Sequence, residues 1–339
     1  MTAAPRPERA RLRIFSGPRT GRSVWATIGA GVIFLASVVV LWTILSEVDV
    51  AEVRAALRAV SREQFAFALL CTAASYGLLT GYDALALRQL RADVPYRTTA
   101  LASFTSYAVS FTLGFPLVTG GTVRYWIYAP RGLSAAKVAS LTLIAGITFW
   151  LGMGLVIGVG LIIRPEEIGR INALPVSINR SIGIAVIVCI SLYLLWVAVK
   201  RRAVRIQRWL IHLPNLPVSI GQLMLGTLDV FAAAGVLWFL LPDGHGIPFT
   251  SFAAIYAFAC ILGIVSHAPG GLGVFEATML LAFTQVPRES MIGALVLFRL
   301  CYYLLPFVLA LAMLGAYEIT GRMGRYRRRS ETSEHEETG

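Results

Sequence analysis

Five charged residues of this chain sit in stretches too apolar to hydrate them: Asp83, Arg124, Asp229, Glu276 and Arg299. Charge in such surroundings is costly enough that each member needs either a partner or a ligand. Arg124 and Glu276 share a local pattern. Arg124 closes Pro116-Leu117-Val118-Thr119-Gly120-Gly121-Thr122-Val123-Arg124, and Glu276 closes Pro269-Gly270-Gly271-Leu272-Gly273-Val274-Phe275-Glu276. Proline removes a backbone donor and paired glycines weaken regular structure, so each apolar run is expected to break there. A helix that starts after Gly-Gly offers unpaired N–H groups and the positive end of its dipole to an anion. Guanidinium suits phosphate because it can bind it through two parallel hydrogen bonds. The candidate substrate-binding residues are therefore Thr119, Gly120, Gly121, Arg124, Gly270, Gly271, Glu276 and Arg299.

Arg299 lies eight residues into the last apolar run, about 12 Å deep at 1.5 Å per residue, and Glu276 is its natural partner. Two readings stand. The two form a static buried pair, or a lipid phosphate competes for Arg299 while Glu276 holds a headgroup amine or a proton. Asp83 can pair with Arg88 or Arg124. Asp229 has no basic residue in its own run, so it needs a cross-helix partner or a proton. Structural pairing leads catalysis for both. Tyr302 and Tyr303 are expected to pack or to complete hydrogen bonds, and His267 to cap the irregular turn without holding a metal.

Cys71, Cys189, Cys260 and Cys301 lie singly in apolar runs, so neither a disulfide framework nor a zinc site is expected. HExxH, GxSxG and Walker-type signatures are absent. No catalytic residue, metal or cofactor is assigned.

These residues need a scaffold, and the composition says which. The chain of 339 residues is 57% hydrophobic and 14% charged, with mean hydropathy +0.71. That is a polytopic membrane protein rather than a soluble domain. Its net charge of +12 comes almost wholly from arginines beside apolar runs. They read as orientation signals and contacts to anionic lipid, not as a nucleic-acid surface.

The expected order begins with a basic cytoplasmic N-terminus, 1–23, and a first span, 24–45. An interfacial helix follows within 46–64. Ser61 and Gln64 form a capping-box pattern before a span at about 65–87, in which Gly77 and Gly81 make a packing face. A broken run from 99 precedes Ser134, an N-cap, and the span 137–163, whose Gly152, Gly154 and Gly158 read as packing positions. A proline-bearing loop, 164–180, leads to spans 181–199 and 218–241. The second broken run and a last span, 291–319, come next, then a polar cytoplasmic tail, 321–339. Loop charges place 88–97, 200–215 and both termini on the cytoplasmic side of a cell membrane.

Ser103-Phe104, an aromatic-bearing run, Gly114 and Gly120-Gly121 recur in order as Ser251-Phe252, Gly263 and Gly270-Gly271. By the charge argument the two copies enter from opposite sides. Interrupted segments in corresponding halves point to an inverted-repeat site, with repeat cores at 99–163 and 250–319. The expected fold is an all-α integral membrane bundle of about eight segments, two of them broken and re-entrant.

Pro269–Glu276, read as PGGLGVFE, resembles a motif of the lysylphosphatidylglycerol synthase transmembrane region, the flippase-like membrane part of multiple peptide resistance factors. The resemblance extends to Tyr82-Asp83 with Leu87-Arg88, to Thr119-Gly120-Gly121 with Arg124, and to Asp229, Arg299 and Tyr302-Tyr303, covering 24–320. It implies an eight-segment fold that moves phospholipid between leaflets, aminoacylated phosphatidylglycerol among the candidates. The chain stops soon after its last span, so aminoacyl transfer is not expected of it, and other anionic or polyprenyl lipids remain open as cargo. The expected activity is that of a lipid translocase without its own ATPase. The alternatives are an integral-membrane enzyme on a lipid headgroup, with Glu276 or Asp229 as acid–base, and a non-catalytic partner of a lipid-modifying enzyme.

Overall fold

A computed structural model describes residues 35, 39, 50–114, 116–199, 203–206, 209–212, 214–266 and 271–320. The N-terminal arginines, nearly all of the expected span 24–45, the Lys200-Arg201-Arg202 run, His267 to Gly270 and the tail 321–339 lie outside the described residues.

Helices dominate, as the hydropathy requires, because only internally satisfied backbone is stable in hydrocarbon. The short helix α1 (Val50–Ala59) precedes α2 (Arg62–Gln89), with the capping box complete between Ser61 and Gln64. α3 (Tyr96–Leu113) and α4 (Pro116–Tyr128) are the first interrupted pair. Ser134 caps α5 (Ala135–Ile163). The expected loop 164–180 contains a short helix, α6 (Pro165–Asn172), begun by a proline whose missing N–H is no loss at a first helical position. α7 (Val176–Val199) and α8 (Leu216–Phe239) are joined through an antiparallel ladder, β1 (Ala203–Ile206) with β2 (Trp209–His212). α9 (Phe249–Val265) and α10 (Val274–Ala282) are the second interrupted pair, and α11 (Arg288–Thr320) is the last long helix.

Five of these helices, α2, α5, α7, α8 and α11, are long and apolar enough to cross a membrane. With the two interrupted pairs they make a polytopic helical membrane protein. α8 packs against α2 and α5, and α5 against α7. Small residues allow these approaches. A Cβ on Gly152 of α5 would stand 2.0 Å from the Gly226 backbone of α8, and one on Gly183 of α7 would stand 2.7 Å from the Gly158 carbonyl. Without an aqueous driving force, such close backbone contact is what holds helices together in lipid. Gly81 likewise faces Leu225, but Gly77 faces open space, so the expected packing face holds at one of its two positions. α7 leaves Ile184, Val188, Leu192 and Leu195 exposed, the surface of a helix in contact with lipid.

Loops collect at two ends. Gln64 Nε2 donates to the Leu241 carbonyl at 2.9 Å and to Asp243 Oδ1 at 3.1 Å. Gly293 of α11 lies against Ala56 of α1. These contacts bring 50–64, 241–248 and the start of α11 together. At the other end, Leu90 and Val94 pack with Val123, Tyr128 and Leu133, alongside Leu314 and Tyr317.

Candidate functional site

In the first hairpin, Gly114 (φ 78°) ends α3, and Pro116 opens α4 directly beyond Phe115. This corrects the sequence expectation. Gly120 and Gly121 lie inside α4, not at its start, because the proline begins the helix four residues earlier. Their N–H groups belong to the helical ladder and do not form an anion cradle. Gly120 serves packing instead: a Cβ there would stand 2.6 Å from Ser110 Oγ and 3.2 Å from Arg124 Nη1. Its absence lets α4 close on α3. Thr119 Oγ1 stitches the turn, donating to the Gly114 carbonyl at 2.9 Å and lying 3.2 Å from Ser110 Oγ. A Cβ on Gly121, which is partly buried, would meet Thr142 Oγ1 of α5 only at ordinary contact distance.

Arg124 is buried and committed. Its Nε donates to both oxygens of Asp83, at 3.2 and 3.0 Å, and its Nη2 to Oδ1 at 2.9 Å. The Tyr128 hydroxyl adds a third donor to Asp83, at 3.1 Å, and the guanidinium stands 4.6 Å from the Tyr107 ring centroid. Of the two partners open to Asp83, Arg124 is the one chosen. The help from Tyr128 was foreseeable, since a residue four beyond Arg124 shares its helix face.

In the second hairpin, Gly263 meets Gly271 backbone to backbone, and Gly271 and Gly273 take φ values of 67° and 83°. Glu276 then does two jobs. Its Oε2 accepts the Gly273 N–H at 2.7 Å, capping α10, while its Oε1 accepts Arg299 Nε at 2.5 Å and contacts Nη2. Here the side chains keep 21% and 25% exposure, against 0% and 3% for Asp83 and Arg124. Of the two pairs, the second is the more exposed. Gly270 lies outside the described residues.

Between the hairpins runs a column of rings and hydroxyls. Arg299 opens a π-helical segment, Arg299–Leu304, within α11. Tyr303 lies 5.4 Å from the Arg299 guanidinium, and Tyr302 stacks on Phe298 and on Phe111 near the tip of the first hairpin. The hairpin tips thus converge on Tyr302 and Tyr303. Behind them, Asp229 of α8 accepts from Ser75 Oγ at 2.5 Å and from the Tyr82 hydroxyl at 2.9 Å. Ser75 is in turn 2.8 Å from the Tyr302 hydroxyl, and the Tyr76 hydroxyl donates to the Tyr302 carbonyl at 3.1 Å. Asp229 has found cross-helix partners, but none is a cation.

Sequence reasoning named Asp83, Arg124, Asp229, Glu276, Arg299, Tyr302 and Tyr303; the structure pairs Asp83 with Arg124 and Glu276 with Arg299, and links Asp229 to Tyr302 through Ser75. It missed Ser75, Tyr76, Tyr82 as a donor, Tyr107, Phe111 and Tyr128. Tyr76, Tyr302 and Phe111 belong to one run of ring contacts that no local motif announces.

Comparison with known proteins adds an independent line. Residues 27–310 match the family described as the lysylphosphatidylglycerol synthase TM region. An uncharacterised protein of Synechocystis is 33% identical over 276 residues, covering 80% of this chain and 84% of that one. The inner membrane protein YbhN of Escherichia coli is 28% identical, with coverage of 82% and 87%. A phosphatidylglycerol lysyltransferase of Staphylococcus haemolyticus is 25% identical over 90% of this chain, which spans 35% of that larger protein.

Proposed function

Since this chain belongs to the lysylphosphatidylglycerol synthase TM region family, we propose that it is a lipid translocase, flippase- or scramblase-like, that moves an anionic or aminoacylated phospholipid between the leaflets of the cell membrane. Both termini are assigned to the cytoplasmic side. The observation that carries this reading is the partly exposed Glu276–Arg299 pair where the two hairpin tips converge. A zwitterionic pair can exchange partners. A headgroup phosphate takes the Arg299 guanidinium, Glu276 receives a headgroup amine or a proton, and the acyl chains stay in lipid. Two hairpins entering from opposite ends give the pair access to both leaflets without a continuous pore. Asp83–Arg124, with nothing left to offer a ligand, anchors the first hairpin to α2.

One observation favours a second reading. The relatives named phosphatidylglycerol lysyltransferases share this region as about a third of their length. On that reading the membrane domain serves a headgroup-modifying reaction, either as its own enzyme or as a partner of another. Reconstitution of the protein in liposomes, with a leaflet-specific assay of headgroup position and chemical identity, separates the two. Transbilayer movement with the headgroup unchanged is the expected result. Headgroup conversion without movement would move the assignment to an enzyme.

A further inference from the structure

The Asp229 carboxylate is a charge-bearing group without a counter-ion among the described residues. Among the described residues, no arginine or lysine forms an ion pair with it. The titratable groups whose charges act on it are Tyr76 and Tyr82 of α2, Tyr107 of α3, Cys260 of α9 and Tyr302 of α11. None of them is a cation. A static structural acid in apolar surroundings is ordinarily paired, and this one is bonded only by hydroxyls.

Those hydroxyls have a direction. Ser75 donates to Asp229 Oδ1, so its oxygen must accept from Tyr302, giving the chain Tyr302 to Ser75 to Asp229. Addition of a proton to Oδ1 turns the carboxyl into a donor. Ser75 then accepts from Asp229 and donates its own proton to the Tyr302 oxygen, so the Tyr302 proton must turn to another acceptor. Tyr302 lies in a π-helical turn, a geometry frequent at functional sites. It also stacks on Phe111 of the first hairpin and on Phe298 beside Arg299. A hydroxyl reversal at Ser75 therefore reaches both hairpin tips.

We infer that Asp229 is a proton-exchange site, linked through Ser75 and Tyr302 to the Glu276–Arg299 pair, and that the transmembrane proton gradient drives the movement of lipid. The last clause rests on the translocase reading; the linkage does not. Proton loading on Asp229 and release of the Arg299 pair are two faces of one change in α11, and linkage makes their coupling reciprocal.

The test uses the full chain in lipid. Infrared difference spectra across a pH titration should show a carboxyl C=O band that titrates and that vanishes in Asp229→Asn, a variant of the same shape. Glu276→Gln should change the proton affinity read from that band by at least about 5-fold, and Tyr302→Phe should abolish the change. A band that is absent, that does not titrate or that survives Asp229→Asn overturns the site. A shift that persists in Tyr302→Phe is direct electrostatics and overturns the link. In sealed liposomes, an imposed proton gradient should bias the leaflet distribution of lipid in the wild type and not in Asp229→Asn. Lipid movement indifferent to the gradient removes the proton drive alone, whereas a titrating, linked band without any lipid movement removes the translocase reading and leaves the site.

Discussion

Glu276 binds Arg299 through one carboxylate oxygen and the start of its own helix through the other. The same side chain that shapes the tip of the second hairpin also holds the cation in α11. Departure of Arg299 toward a ligand therefore frees one oxygen of a carboxylate that stays anchored by the Gly273 N–H.

Glu276→Gln keeps an oxygen for the Gly273 cap and removes the charge. It should cost less than about 1 kcal/mol of stability, as for other partly solvated pairs, yet reduce lipid movement to a small fraction of the wild-type rate. Thermal unfolding in detergent and the liposome rate, measured on the same preparation, check both halves.

Asp83 and Arg124 predict the opposite pattern. Breaking a buried pair by removing one partner costs about 3–5 kcal/mol, so Asp83→Asn or Arg124→Ala should lower the unfolding temperature and the yield of folded protein. Replacing both by Asn and Met should recover part of that loss. If the single variants unfold like the wild type, the anchoring role of this pair is wrong.

The helix glycines divide cleanly. Gly152→Ala pushes a methyl into the Gly226 backbone and should destabilise by about 3 kcal/mol or more. Gly77→Ala meets nothing within 4 Å and should stabilise by about 0.5–1 kcal/mol through the helix preference alone. Parallel unfolding curves of the two variants decide it.

His245 gives a pH prediction outside the membrane-spanning helices. Burial lowers the affinity of its imidazole for a proton, against a smaller opposing pull from Asp243, and its Nδ1 accepts the Ile247 N–H. The folded form therefore binds the proton more weakly than the unfolded form. Stability is full above the ordinary imidazole value of about 6.5 and falls as the pH drops below it. The protection factor of the Ile247 amide, its exchange corrected for intrinsic pH dependence, should fall in that range for the wild type and stay flat in His245→Gln.

Much of this architecture was legible because membrane sequence is constrained. Hydropathy marked α5, α7, α8 and α11 to within a few residues, and Ser61 and Ser134 declared the starts of α2 and α5 by their caps. Buried charges announced Asp83–Arg124 and Glu276–Arg299, since an arginine in hydrocarbon must have a carboxylate somewhere. What escaped was chemistry without periodicity. The hydroxyl partners of Asp229, Ser75 and Tyr82, look like any small or aromatic residue of an apolar helix. At Gly120-Gly121 the glycine signal outweighed Pro116, though a proline at a first helical position was the better marker of the start. Pro165 with Glu166 and Glu167 carried the same kind of signal for α6, passed over among loop residues.

The central claim is that a phospholipid headgroup crosses the membrane by exchanging with the Glu276–Arg299 pair. Its most direct measurement is the rate at which a headgroup-labelled anionic phospholipid becomes inaccessible to an external reagent in liposomes that hold the purified protein. The wild type should accelerate that movement well above protein-free liposomes, and the double variant Glu276→Gln with Arg299→Ala, folded by its unfolding curve, should fall back to the protein-free rate. A folded double variant that moves the lipid as fast as the wild type would contradict the account.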